Sequence, residues 1–577
     1  MSSSPPGPQS APSLITQLVR EAALAAGFTA EELEPAAPTR DAAHGDYQSN
    51  SAFRIAKANK QNPRAVAQAI VERLPAHAAV RAVSIAGPGF INFTLNDAWL
   101  GAQLVAQCDD AHLGLAQRQG RVVIDYSSPN VAKRMHVGHM RSTVIGAALH
   151  NMTRFAGYDV IADNHIGDWG TQFGKLIVAW RGWLDAAAYE ADPIGELQRI
   201  YADFEVRAEA DPTLADQARH ETAKLQAGDP DNRALWRQFI EVSLQEFNQL
   251  YARLGIQFDE VLGESAYNDM LQPLVESLLA SGVAQVSDGA VVIPFEDADG
   301  PGLAKAPMLI RKRDGAALYG TTDLATARYR LDRWSPTRIV YVTDTRQQFH
   351  FQQLFAACKK LGWTQAELVH CWFGLLSMPE GTMSSRKGNV VNLKDLLDEA
   401  ARHARALVDQ KSPNLSDEER AKIAEAVGVA AVRYADLSQN PQSDVTFRWE
   451  KMLTLDGNTA PFLMYSYARC RSLQAKGGIT AWTLAPFTPV EPVERELTIA
   501  LTRLNEVVVS AIDGSRPNTL CDYLFNLAGL INRYYHDLPV LTAAPEDRDR
   551  RLHVIEASAR VLGQGLKLLG IQPLDRM

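Results

Sequence analysis

The sequence predicts an α/β fold built on an open parallel sheet, and three observations carry that prediction. A β-prone run, Arg121 to Tyr126, leads through a loop into the tetrad His136-Val137-Gly138-His139. After the tetrad, Met140, Val144, Ile145, Leu149, Met152 and Phe155 recur at mostly three- and four-residue steps, which makes one apolar helix face with Gly157 as its stop. A second β-prone run, Asp159 to Asn164, completes a strand–helix–strand unit of Rossmann type. Its special residues fall at the C-terminal end of the first strand, where such sheets take ligands.

Bulk properties narrow the field. The chain has 577 residues, 46% hydrophobic and 22% charged, the profile of a globular enzyme with several domains. No apolar run reaches the length of a membrane span, so no membrane partner is expected. The five cysteines, Cys108, Cys358, Cys371, Cys470 and Cys521, are scattered without a C-x-x-C pair, so neither a disulfide scaffold nor a zinc site is expected. The opening MSSSPPGPQSAP, 1–12, reads as a disordered tail rather than a signal peptide, which makes cytoplasm the expected compartment. A net charge of −9 neither requires nor excludes a polyanionic partner, because a local basic patch can hold one.

Four regions follow in order. Residues 13–115 form an N-terminal α+β unit: helical patterns at Leu14 to Gly27 and Pro63 to Leu74, then strands around a Gly-Pro-Gly turn before Phe90. Within it, HGDYQSNSAF (His44 to Phe53) reads as a surface loop and helix start. The parallel-sheet domain spans 116–410, with an insertion at about 177–305 that is charged and helix-forming from about Leu176 to Leu254 and returns to short strands over Gly255 to Tyr267. Its second half repeats the strand–helix–strand plan: a β-prone run ending at Tyr319, a helix beginning near Thr322 or Asp323, a strand from Arg338, a helix, and a buried strand from Glu367 to Met378. The polar loop 381–391 carries Ser384, Ser385, Arg386, Lys387 and Gly388 and suits a clamp on a triphosphate, although a plain solvated loop fits equally. Residues 411–577 read as an all-α helical bundle with interleaved basic and aromatic side chains.

The tetrad suggests chemistry at phosphorus. A helix N-terminus attracts phosphate, Gly138 lets a nucleotide approach the backbone, and two imidazoles can donate to phosphoryl oxygens as charge develops. Satisfied structural histidines are the competing reading. Gly167 and Gly170, in IGDWGTQFGKL, mark close backbone approach or ordinary turns. In the bundle, aromatic side chains with neighbouring Arg and Lys suit stacked RNA bases, and core packing suits most of them as well.

Taken together, SSPNVAKRMHVGHMRST, DNHIGDWGTQFG, YGTTDLATARYR and the ending LLGIQPLDRM resemble the arginyl-tRNA synthetases, class I enzymes, over nearly the whole length. GDYQSN and AGPGFINF resemble that family's additional domain, which is implicated in tRNA contact. The resemblance implies ATP-dependent attachment of L-arginine to its tRNA through an arginyl-adenylate. ATP with Mg²⁺, arginine and tRNA are the implied ligands, with no zinc; a monomer is expected. His136, Gly138 and His139 inherit ATP binding and phosphorus stabilisation, joined at the nucleotide by Pro129, Gly167, Met383, Ser384, Ser385, Arg386 and Lys387. The family's KMSKS loop here reads Thr382-Met383-Ser384-Ser385-Arg386, without the lysine, and Lys133 is the implied substitute. A guanidinium asks for carboxylates and carbonyls in matching geometry. Asp125 and Asp323 are the candidates, with Tyr319 closing the pocket and Ser127, Asn130, His139 and Gln347 completing it. Asp323 as a plain helix N-cap is the alternative. Candidate tRNA contacts are Tyr47, Asn50, Tyr465, Arg469 and Tyr523. Rival readings are a class I synthetase for another amino acid, a catalytically silent tRNA-binding paralogue, and a small-molecule nucleotidyltransferase.

Overall fold

A computed structural model describes residues 10–29, 33–39, 41–313, 315–378, 381–382, 391–478 and 484–577. At its centre lie five parallel strands: β1 (Arg121–Asp125), β2 (Asp159–Asn164), β3 (Glu260–Val261), β4 (Arg338–Asp344) and β5 (Glu367–Phe373). Their order is β5-β4-β1-β2-β3, so the chain reverses direction of travel between β1 and β4. That switch point opens a crevice beyond the strand ends, and the crevice is where the site forms. Register sets Tyr341, Asp125 and Asp163 side by side across β4, β1 and β2.

Helix α1 (Val137–Phe155) crosses from β1 to β2. Met140, Val144, Ile145, Leu149 and Met152 are buried, as their spacing predicts. Gly157 ends the turn at φ 93°, where a Cβ would press on Gln117 and Arg118. Helix α2 (Tyr319–Trp334) and helix α3 (Gln348–Lys360) frame the second half of the sheet. Two expectations change here. The helix begins at Tyr319, not at Thr322 or Asp323, because the preceding strand is only Met308–Arg311 and pairs antiparallel with Ala290–Ile293 in a separate three-stranded sheet. The segment expected as one buried strand is the edge strand β5, partly exposed over Leu368, Val369 and His370, followed by a short strand, Leu376–Met378.

The insertion is helical as far as Leu254, with Pro230–Leu254 as its longest element; beyond it Glu260–Val261 joins the central sheet, and Gln285–Ser287 and Ala290–Ile293 belong to the three-stranded sheet. In the N-terminal unit, helices lie on a four-stranded sheet in which Tyr47–Ser49 pairs with Phe90–Leu95. The segment read as a surface loop is therefore partly strand, and Tyr47 is 1% exposed. The C-terminal helices, among them Asp417–Leu437, Ala460–Lys476, Asn518–Asp537 and Pro545–Leu568, share one buried core with α1 and with the end of the insertion helix, where Arg433 donates to the Leu254 carbonyl at 2.8 Å. Among the described residues, no helix is long and apolar enough to cross a membrane.

Candidate active site

The loop after β1 runs through three left-handed residues that are not glycine: Ser127 (φ 76°), Ser128 (φ 48°) and Ala132 (φ 62°). Such backbone persists only where its surroundings over-determine it. Here they do. Ser127 N–H donates to Ser142 Oγ at 2.8 Å, and Ser127 Oγ meets Tyr251 Oη at 2.7 Å. Ser128 N–H donates to Asn164 Oδ1 at 3.1 Å, and Ala132 N–H to Ser243 Oγ at 2.9 Å. Tyr251 and Ser243 come from the insertion helix Pro230–Leu254, so the inserted domain braces this loop. Pro129 and Val131 are tied to Gly167 by two backbone hydrogen bonds at 3.1 Å. A Cβ at Gly167 would collide with Asn130 Oδ1, so glycine is needed for the close approach of that side chain.

The loop delivers His136 to the N-cap of α1. His136 Nδ1 accepts from Gly138 N–H at 3.0 Å, and His139 Nδ1 accepts from His136 N–H at 3.1 Å. The rings stack with centroids 3.9 Å apart. Because both Nδ1 atoms accept, each neutral ring carries its proton on Nε2, and both Nε2–H groups remain as donors. Burial first, then the charges of Arg346 and Lys133, lowers the His136 pKa; burial, helped by His136 and Lys133, pushes His139 down to about 3. At neutral pH the pair is uncharged. It is a two-donor device at a helix N-terminus.

Ser127, Ser128, Asn130, His136, Gly138, His139 and Gln347 line one cavity of about 320 Å³, closed on its far side by Phe373 to Leu376. Arg346, which also lines it, is anchored to Asp344 through Nε and Nη2, both at the end of β4. Lys133 does not line this cavity: its Nζ sits 4.6 Å from the centre of the Tyr201 ring on the insertion, half-buried, and burial lowers its pKa. Met383, Ser384, Ser385, Arg386 and Lys387 lie outside the described residues.

The two candidate carboxylates have separate partners. Asp125, at the end of β1, is nearly buried; its Oδ2 accepts from Arg330 Nη2 at 2.7 Å and its Oδ1 from Ser128 Oγ at 3.1 Å. Asp323 lies in the second turn of α2, so the N-cap alternative fails: Leu318 holds that position without a side-chain bond. Asp323 Oδ2 instead meets His350 Nε2 at 2.5 Å, and the Tyr319 ring stands edge-on to His350 at 4.9 Å, 66% exposed. Two residues escaped the sequence reading. Glu264 has its pKa pushed up to about 8 by burial and by the charges of Asp323 and Asp168. Arg330 lies seven residues after Asp323, on the same face of α2, a spacing that could have flagged it.

Of the candidate RNA contacts, Tyr47 is enclosed and donates to Glu506 Oε1 at 2.7 Å, which leaves no free ring face in this arrangement. Tyr523 Oη donates to the Ala500 carbonyl at 2.9 Å. Asn50 accepts from Gln48 Nε2 at 2.8 Å. Arg469 stacks between Tyr465 and Tyr535, 4.9 and 5.1 Å from the ring centres, and Tyr535 is exposed.

Residues 103–449 match the family model for tRNA synthetases class I (R), catalytic domain, and residues 463–577 match the DALR anticodon binding domain. The paired imidazoles at the switch point of a parallel sheet thus belong to a class I aminoacyl-tRNA synthetase. Residues 13–95 match the arginyl tRNA synthetase N terminal domain. The arginine–tRNA ligase of Fusobacterium nucleatum is 43% identical over 555 residues, 95% of this chain and 97% of that one. That of Pseudomonas fluorescens is 41% identical over 582 residues, 98% of each. The fold is shared with the arginyl-tRNA synthetases of Plasmodium falciparum and Thermus thermophilus, each with a TM-score of 0.84 at 24% identity, covering 99% and 98% of this chain and all of theirs. The chain belongs to the arginyl-tRNA synthetase family.

Proposed function

We propose that the chain joins L-arginine to its tRNA in two steps at the β1–β4 crevice. An oxygen of the arginine carboxylate attacks the α-phosphorus of ATP, the bond to the pyrophosphate oxygen breaks, and arginyl-adenylate forms. A hydroxyl of the terminal tRNA adenosine then takes the arginyl group and AMP leaves; by class, this is the 2′-hydroxyl. No protein nucleophile is needed, so the chain's task is positioning and stabilisation of charge. The observation that carries this reading is the fixed tautomer of His136 and His139: two neutral Nε2–H donors beside the cavity, with both Nδ1 atoms already used. Their strength toward an oxyanion is greatest where water is excluded and no reorganisation is required.

Asn130, Ser127 and Gln347 line the cavity; in this reading Asn130 takes the amino or carboxylate group of the substrate with Ser127 beside it, and Gln347 helps fix the guanidinium. Asp323, already fixed by His350, and Asp125, held by Ser128 and Arg330, are the proposed carboxylates for the guanidinium. ATP brings Mg²⁺ with its phosphates; the ion supplies charge neutralisation there. Arg386 and Lys387 are the proposed cations for the triphosphate, and Lys133 joins them only by leaving the Tyr201 ring, since it lies outside the cavity. In the bundle, the Tyr465–Arg469–Tyr535 stack offers faces for splayed bases. Charging a total tRNA pool with each amino acid in turn tests the reading: arginine alone should be incorporated. Incorporation of another amino acid, or none, would reject it. Pyrophosphate exchange with ATP and arginine should be weak until tRNA is added.

A further inference from the structure

From Ser128, which lines the cavity, Asp125 leads inward to a buried charge cluster centred on Arg330, a residue that the mechanism above does not use. Arg330 is wholly buried. Its Nε donates to Asp163 Oδ2 at 2.9 Å, and its Nη2 reaches Asp125 Oδ2 at 2.7 Å and Asp163 Oδ2 at 2.8 Å. Asp125 and Asp163 are register partners on neighbouring strands, and the guanidinium lies 5.3 Å from the centre of the Tyr341 ring on the third. Among the described residues, Asp163 Oδ1 and Tyr267 Oη are buried without a hydrogen-bond partner.

For stability alone this is a poor arrangement. Desolvating three charges costs about as much as their attraction returns, and well-packed apolar side chains often do better. The cluster is nevertheless coupled to the site at both ends. Asp125 Oδ1 accepts from Ser128, which lines the cavity, and Arg330 shares a face of α2 with Asp323. We infer that Arg330 is a specificity-determining positioning residue: it fills the bay between Asp125 and Asp163 with the chain's own guanidinium, fixing the floor and the charge of the pocket. An incoming guanidinium then cannot sink between the two strand-end carboxylates, and stops at Asp323. With Arg330 gone, the two carboxylates either share a proton or draw the substrate too deep, and in both cases the carboxylate geometry is lost. Lysine is a poor substitute because its point charge cannot bridge two carboxylates as a planar fork does.

This inference rests on the arginine pocket proposed above. The test uses full-length protein with R330K and R330G, measuring the KM values for arginine and ATP separately in tRNA charging. R330K should raise the arginine KM roughly 10- to 100-fold, the loss expected for one charge-assisted contact, while the ATP KM stays within about twofold. Charging by R330G should be restored by added guanidinium ion, which in the wild type only competes with arginine. An unchanged arginine KM in R330K, or an equal rise in both KM values, overturns the inference, and R330K decides alone if R330G does not fold. If the wild type fails to charge arginine, the pocket assignment falls first, and that result is distinct from either outcome with the variants.

Discussion

His136 and His139 each spend Nδ1 on a backbone N–H, and this makes the two amide substitutions unequal. An asparagine places its carbonyl near the Nδ1 position and keeps the cap, but it removes the Nε2 donor. H136N should therefore fold normally, keep the arginine KM within a few-fold, and lose roughly 10²–10³ in kcat, the usual cost of one oxyanion donor. Steady-state charging with arginine and ATP varied separately reads this directly. A second residue-scale expectation concerns Glu264, whose pKa burial and the neighbouring Asp323 and Asp168 push up to about 8. In the free protein at pH 7 this carboxyl is mostly protonated. An arriving guanidinium favours the ionised form, so arginine binding should release protons, and affinity should rise as pH climbs from 7 toward 9. Calorimetry in buffers of different ionisation enthalpy measures the release; E264Q should abolish it.

Between elements, the joint that matters most is α1 against the bundle. Arg141, on the helix that carries both histidines, is 1% exposed; its Nε donates to Asp436 Oδ1 at 2.7 Å and its Nη1 to the Gly374 carbonyl at 2.7 Å. Asp436 lies on Asp417–Leu437, and burial raises its pKa against the pull of Arg141. R141M would leave this carboxylate buried and unpaired, at a cost of about 3–5 kcal/mol. Replacing both partners with apolar side chains should cost clearly less than the sum of the single changes, which urea unfolding of all four proteins in the cycle can show. This joint also marks the limit of what the sequence reveals. Helix α1, its apolar face, its glycine stop and the histidine cap are local, so spacing alone exposes them. Asp125–Arg330, Asp323–His350 and Arg141–Asp436 join residues 205, 27 and 295 positions apart, and no local pattern encodes which partner a carboxylate finds. The start of α2 differs from the expected Thr322 or Asp323 because Tyr319 and Gly320 look strand-like in sequence, whereas the short antiparallel sheet before them takes only Met308–Arg311.

Across the whole molecule, the N-terminal unit docks on the C-terminal bundle through apolar packing, with Ile499 against the N-terminal core, and through polar contacts. Arg495 holds Asp46 with both terminal nitrogens, at 2.9 and 2.8 Å, and Asp97 through Nε at 2.5 Å. Gln107 Nε2 donates to the Leu501 carbonyl at 3.0 Å. Beside these contacts Tyr47 donates to Glu506, whose pKa is pushed up to about 7 by burial, against the lowering pull of Tyr47 and Arg503. The sign follows from proton counting. Docked Glu506 holds its proton up to about pH 7, whereas an undocked glutamate releases it near its ordinary value of 4.5. The docked form therefore binds more protons across that interval, and docking weakens as pH rises from 4.5 to 7, then levels off. A displacement of this size corresponds to about 3 kcal/mol at most. E506Q keeps the acceptor for Tyr47 and removes the titration. The variant should match the wild type near pH 5 and hold the two units together more firmly at pH 8. Thermal melts across pH 5–8 should show a flatter profile for E506Q, and limited proteolysis at pH 8 should cut between the units more slowly than in the wild type. Parallel melting profiles for the two proteins would mean that Glu506 does not carry the pH dependence of this contact.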